Sequence, residues 1–427
     1  MSTVNRRTFL ASAGSGAAAL ALGSGARAAG PNDALRLAVI GVRGRGQEHV
    51  SAFSGRKDCV VAALCDVDPA QFKKPADAIN ARTGKSPALL ADFRRALDDP
   101  NIDAVSIATP NHWHALAAVW ACQAGKDVYV EKPVSQNVSE GRKIVEAAAK
   151  YGRIVQAGTQ NRSSAGVAEA VAFLRSGKLG NIYLARGLCF KPRGSIGIKP
   201  DAPVPAGVDY NLWLGPAPER PFNPNRFHYE WHWNWDYGNG DLGNQGIHQM
   251  DVARWGLGKQ TLPTHVQSSG GRYGYKDDGQ TPNTQVSTYR WDDCMLEFEV
   301  RGLPTNAERE IKVGNLFFGT EGYLAINGDR WSTYMGQKEE PGPSGKGGGD
   351  HFGNFVDAVK ARKPELLHAP VVEGHLSSAL CHLGNISYRL GRALAVDPAT
   401  ETLGKDAEAN AMLSRDYRSP FSMPARV

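Results

Sequence analysis

The stretch that constrains this chain most is residues 35–66. It reads as an apolar strand, a glycine-rich turn, a helix and a second apolar strand ending on an acid. Leu35 to Ile40 form the first strand, and Gly41, Gly44 and Gly46 follow at once. The segment "CVVAALCDVD" then reaches Asp66, twenty residues after Gly46. That order predicts a dinucleotide-binding βαβ unit. The glycines let backbone approach a pyrophosphate, the helix N-terminus faces its charge, and the acid accepts from a ribose hydroxyl. Read as G-x-G-x-x-G, the middle position holds Arg43, which reshapes the expected pyrophosphate contact. Asp66 would repel a 2′-phosphate and so favours NAD over NADP; Arg43 and Arg45 keep the alternative open.

The strand–helix alternation continues to about residue 160. A strand over 104–108 leads into a polar turn at Asn111-His112-Trp113-His114, then a helix ends at Gly125. "DVYVEKP" is a strand running into Glu131-Lys132-Pro133, followed by a helix and the strand of "RIVQAGTQNR". Ligands of such sheets sit at the carboxyl ends of the strands. The expected cofactor wall is therefore Gly41, Arg43, Gly44, Arg45, Gly46 and Asp66, with Thr109, Asn111, His114, Glu131, Lys132 and Gln160 beyond them. The second half reads as alternating β-rich segments such as "TQVSTYRW" and "CMLEFEVR", with helices at "DHFGNFVDAVKAR" and "EGHLSSALCHLGNISYRLGRAL". "PGPSGKGGGD" reads as a surface loop.

The N-terminus carries a different message. Arg6-Arg7, a short Ala/Gly-rich apolar run and Ala26-Arg27-Ala28 form a twin-arginine export signal with cleavage expected after Ala28. The expected location is the periplasm or another exported compartment, with no membrane span after cleavage. Loss of the signal's three arginines takes the formal net charge from +6 to +3, which argues against nucleic acid as a partner. The remaining chain, about 400 residues, is long enough for two domains. The boundaries expected are 1–28 for the signal, 34–160 for the Rossmann domain and 161–427 for a second α/β domain. The six cysteines show neither a disulfide framework nor zinc spacing.

"AVIGVRGRG", "CDVD", "ATPNHWH" and "VYVEKPVS", in that order, resemble the Gfo/Idh/MocA oxidoreductase family. "GNGDLGNQGIHQMDVARW" and "HFGNFVDAVKARKP" extend the resemblance through the second half. It implies a Rossmann domain plus an α+β domain with a large open, mostly antiparallel sheet, whose C-terminal helices pack back on the Rossmann domain. It also implies NAD(P)-dependent chemistry on a sugar or polyol, and pairing of copies through the open sheet. Lys132 takes the position of the family lysine that holds the reacting hydroxyl and moves its proton. Where many members carry Asp-x-x-x-His on a helix facing the nicotinamide, this chain has Asn244 and His248, whose spacing would put both on one face of that helix, so a carboxylate–histidine relay is replaced. His248 is expected to keep a pKa suited to proton transfer.

Tyr229, His232, Trp233, Trp235 and Asp241 lie just upstream. Aromatic faces with polar tips suit a sugar. We therefore expect Tyr229 and His232 to join Lys132 and His248 at the reacting centre, and Asn244, Trp233, Trp235 and Asp241 to contact substrate. His228, His232 and His248 have no carboxylate or thiolate fixed beside them by spacing, so no metal is expected. The segment is similar to that of exported glycoside hydrolase family 109 members. That resemblance implies a redox-neutral alternative in which C3 is oxidised, the C1 substituent leaves, water adds and the hydride returns. Arg43 and Asn244 also keep open a sugar- or nucleotide-binding protein without turnover.

Overall fold

The computed structural model describes residues 34–427, so the twin-arginine signal and the Ala28 cleavage site lie outside the described residues. Six parallel strands make the first sheet: β1 (Leu35–Ile40), β2 (Cys59–Cys65), β3 (Ala88–Leu90), β4 (Ala104–Ile107), β5 (Asp127–Val130) and β6 (Val155–Ala157). Their order is β3-β2-β1-β4-β5-β6. Helices cover both faces, so β4 and β5 are buried at every position, Ser106 and Asp127 included. The reversal of strand order between β1 and β4 opens a crevice at their carboxyl ends.

The second sheet has nine strands: β7 (Ile182–Cys189), β8 (His265–Gly271), β9 (Thr284–Arg290), β10 (Met295–Arg301), β11 (Val313–Gly319), β12 (Gly322–Asn327), β13 (Arg330–Met335), β14 (Glu340–Lys346) and β15 (Leu394–Ala395). The order is β14-β13-β12-β11-β7-β10-β9-β8-β15, antiparallel except for the β7–β10 pair. β10 alternates strictly between buried and half-buried positions, so only one face of it is fully covered. The helices Gly246–Gly256 and Val371–Leu390 pack on that covered face. The helix His351–Ala361 instead crosses to the first domain, where Phe355, Val356 and Val359 share a core with Phe53 and Tyr129. All six cysteines are buried and unpaired.

Three local expectations are corrected. Residues 111–114 are not a turn but the first turn of the helix Asn111–Gln123, with Pro110 at its N-cap, where a missing N–H costs nothing. Residues 341–346, read as loop, belong to β14, an edge strand. Pro341 and Pro343 are tolerated there because an edge strand leaves every other backbone group unpaired, and the register shifts between Ser332 and Tyr334. Asn244 and His248 do not share one helix: Gln245 separates the helix Gly240–Asn244 from Gly246–Gly256.

Candidate active site in the interdomain cleft

The crevice is closed on its far side by the chain between β7 and the helix Gly240–Asn244. Gly41, Arg43, Gly44, Arg45, Asp66, Thr109, Asn111, His114, Glu131 and Lys132 line the Rossmann side. Trp213, Phe227, His228, Tyr229, Trp231, His232 and Asn244 face them.

The turn is shaped for a pyrophosphate. Gly41 has φ of 81°, and a Cβ on it would lie 2.8 Å from Ala108 O. A Cβ on Gly46 would lie 1.9 Å from Gly41 O, so Gly46 sits behind the wall and sets how closely helix meets strand. Asp66 accepts Val42 N–H at 2.9 Å and Asp68 N–H at 3.0 Å, which folds the turn and leaves one lone pair on each oxygen toward the cleft. Burial pushes its carboxyl up from the ordinary value. Thr109 lines the cleft, and its Oγ1 is buried there without a hydrogen-bond partner. These residues fit a dinucleotide.

Glu131 lines the cleft, and its carboxylate also anchors its neighbours. Arg45 Nε (2.7 Å), His49 Nε2 (3.1 Å) and Gln160 Nε2 (3.0 Å) all donate to its Oε1. Burial pushes this carboxyl up, yet the His49 hydrogen bond and the Arg45 charge outweigh it and hold it well below the usual range. Gln160 and Arg45 are thus tied to Glu131, and Gln160 is set back from the cleft lining. His114 bridges Pro133 O and Thr109 O at 2.7 Å each, fastening the turn that carries Lys132 to the end of β4.

Lys132 projects between the two domains and donates to Asn244 O at 2.7 Å. Burial lowers its pKa, the Arg45 and Lys191 charges add to that, and Glu131 opposes it. His232 Nδ1 donates to Tyr229 O at 2.5 Å, which leaves Nε2 as an acceptor beside the Asn244 side chain. Burial, with Lys132 nearby, pushes His232 down to about 3. His248 is also pushed down to about 3, by burial and then by Lys132. The expectation that His248 keeps a pKa near neutrality is therefore corrected: it is a neutral imidazole, its Nδ1 buried without a partner.

The aromatic wall differs from the one expected. Trp233 is buried, donates to Glu230 at 2.9 Å and is covered by the Arg193 guanidinium at 5.2 Å. Asp241 clamps that same guanidinium at 2.6 and 3.0 Å. Trp235 lies against Arg389 and Tyr388. None of the three lines the cleft. The 3-10 turn Glu230–Trp233 instead brings Trp231 into the cleft beside His232, the two rings stacked with centroids 3.6 Å apart. Tyr229, 46% exposed, stays at the mouth and receives Arg193 Nη1 on its hydroxyl at 3.2 Å. Arg193 and Asp241 thus brace the wall from behind. Trp231, His228, Phe227 and Trp213 are cleft residues that sequence reasoning missed; the density of aromatics was the available signal, but it did not say which rings turn inward.

Residues 35–159 match the model of the oxidoreductase family NAD-binding Rossmann fold, and residues 189–423 match that family's C-terminal alpha/beta domain. The chain belongs to the Gfo/Idh/MocA oxidoreductase family. Its first domain is accordingly an NAD-binding one. Among curated members of this family, a glycosyl hydrolase family 109 protein of Shewanella baltica is 30% identical over 172 residues, covering 35% of this chain and 38% of the relative. Levoglucosan dehydrogenase of Pseudarthrobacter phenanthrenivorans is 27% identical over 258 residues, covering 56% of this chain and 59% of the relative. Among solved structures, the WlbA dehydrogenase from Bordetella pertussis, in complex with NADH and UDP-GlcNAcA, superposes with a TM-score of 0.65 at 21% identity. That likeness covers 86% of this chain and 98% of the other.

Proposed function

We propose that this is an exported NAD-dependent oxidoreductase acting on a sugar, polyol or glycoside in the interdomain cleft. The carrying observation is Lys132: an amine of lowered pKa, between the NAD-binding domain and a wall of Trp231, Tyr229 and His232. NAD, when bound, supplies hydride transfer. The protein's own part is to bind, orient and move one proton. Asn244 O holds the Lys132 ammonium or amine in place, and Lys132 Nζ exchanges the proton of the reacting hydroxyl. His232 Nε2 accepts from a neighbouring hydroxyl, since its Nδ1 proton is committed to Tyr229 O. His248, neutral and set back from the cleft lining, supports the wall rather than titrating. Trp231 offers a flat face to the CH side of a sugar ring and keeps water off the cleft.

The family 109 relatives support a second reading, a glycosidase or lyase in which NAD is recycled within each turnover. Export would favour either version with a retained cofactor, because no NAD pool is maintained outside the cytoplasm. Denatured, freshly purified protein is expected to release NAD(H) detectable by absorbance and mass spectrometry. Protein with neither bound nicotinamide nor saturable NAD(H) binding would overturn the proposal. Nitrophenyl glycosides that release phenol without net NADH would select the second reading; stoichiometric NADH from free sugars would select the first.

A further inference from the structure

The chain between β7 and the helix Gly240–Asn244 does more than wall the reacting end. β2 and β5 are three strand spacings apart in the sheet, about 14 Å. Lys132, after β5, therefore marks one end of the cleft, and Asp66, after β2, the other. The inter-strand segment reaches that far end as well. Leu212, Trp213, Phe227 and His228 line that end together with Val67, Phe93 and Trp113, a mostly apolar and aromatic surface beside the Asp66 carboxylate.

This strap is a built element. Trp213, Leu214, Ala217, Phe222, Phe227 and Tyr237 form a core of their own, with Val67 of the Rossmann domain packed against it. It is stitched to that domain by Asp209 N–H to Val67 O (3.0 Å), Trp113 Nε1 to Leu212 O (2.9 Å) and His112 Nε2 to Trp213 O (2.8 Å). His228, at φ of 48°, faces Asp68 with Nε2 to Oδ2 of 3.4 Å. The C-terminal tail buckles the strap from outside. Arg418 donates to Gly215 O (3.0 Å), Asn211 O (2.6 Å) and Asn211 Oδ1 (2.6 Å), and Phe421 packs edge-on against Trp113.

We infer that the strap, residues 209–228, is a second-domain clamp for the adenosine half of the dinucleotide, and that the tail buckle at Arg418 sets how fast the cofactor leaves. The inference rests on the NAD reading above and adds the residues that would hold the cofactor resident. An adenine ring suits this lining because most of it is aromatic or aliphatic, and the ribose then lies at Asp66. Release requires the strap to part from Val67, Trp113 and the tail, not merely a side chain to turn.

The test uses the full chain loaded with NADH, its release followed by loss of nicotinamide fluorescence on mixing with excess NAD. Arg418→Ala touches no cleft residue. Loss of its three hydrogen bonds is expected to speed NADH release about tenfold or more, with the far-ultraviolet dichroism unchanged. In parallel, ADP-ribose should raise the melting temperature of the wild type more than that of the variant, and nicotinamide mononucleotide should affect both alike. Folded Arg418→Ala with a wild-type release rate overturns the inference while leaving NAD binding intact. Should Arg418→Ala fail to fold, Arg418→Lys, which keeps the charge and the aliphatic stem but cannot make all three hydrogen bonds, takes its place under the same criterion. Wild type that binds no NADH at all would sink the NAD reading and the clamp together.

Discussion

Acidification should unfold this protein through its histidines before its carboxylates titrate. His112, His232, His248 and His382 are each pushed down to about 3 from an ordinary 6.5, in every case first by burial. A histidine held neutral when folded takes up its proton only on unfolding, so the unfolded state binds more protons throughout the window between those values. The stability these groups contribute is present above about pH 6.5 and lost as pH falls toward their folded values. Each contributes a slope of about 1.4 kcal/mol per pH unit once the unfolded histidine is protonated. At about pH 5.5 the four together remove roughly 6 kcal/mol, against a typical total of about 5–15 kcal/mol. Guanidinium midpoints at neutral and mildly acid pH, with calorimetric proton uptake in two buffers of different ionisation enthalpy, measure this directly. Uptake of four protons or more is expected at mildly acid pH, because burial lowers His49, His114 and His351 as well, and His382→Gln should reduce it by one. A midpoint that stays flat from neutral to mildly acid pH, or uptake below one proton, would refute the burial argument.

Lys132→Met should leave NADH affinity nearly unchanged and cut turnover by at least ~10²-fold; a near-wild-type rate would move the proton to another group. Turnover of the wild type should rise with pH as Lys132 loses its proton, with an apparent pKa below the ordinary lysine value, read from kcat/KM against pH. Glu131→Gln removes the carboxylate charge shared by the Arg45 guanidinium and the His49 ring while Arg45 keeps Glu48, and should cost about 1–3 kcal/mol in chemical denaturation. Trp231→Ala should raise KM for the sugar more than it lowers kcat, whereas Trp235→Ala, outside the cleft, should leave both alone. The open sheet face, where Tyr323 and Tyr334 stack at 4.7 Å beside Phe318, should hold a second copy; sedimentation of a monomer would remove that expectation.

Much of the first domain was legible in advance because its requirements are local. A strand must end, a turn must accept φ above zero with a backbone carbonyl at van der Waals range, and a helix must begin; Gly41 and Gly46 carry those demands within six residues. Lys132 was legible for a similar reason: it follows a four-residue buried strand at its carboxyl end. The substrate wall was not. Asp241, Trp233 and Trp235 have the right chemistry for a sugar, but Arg193 covers Trp233, Arg389 covers Trp235, and Asp241 is taken up clamping Arg193. No periodicity in an irregular segment says which ring turns inward.

By itself, the sequence determined that there would be a parallel dinucleotide-binding sheet, where its glycine turn and acid fall, and which lysine stands at the other end. Tertiary structure decided the electrostatics and the enclosure. His248 reads from sequence as an ordinary histidine, yet folding buries it beside Lys132 and drives its pKa to about 3. Asp209, His228 and Arg418 are unremarkable polar residues in sequence, yet folding brings them to Val67, Asp68 and Asn211. Backbone geometry is set by neighbours a few residues away, whereas desolvation, charge pairing and closure of a cleft depend on groups that are distant in the chain and meet only once it has folded.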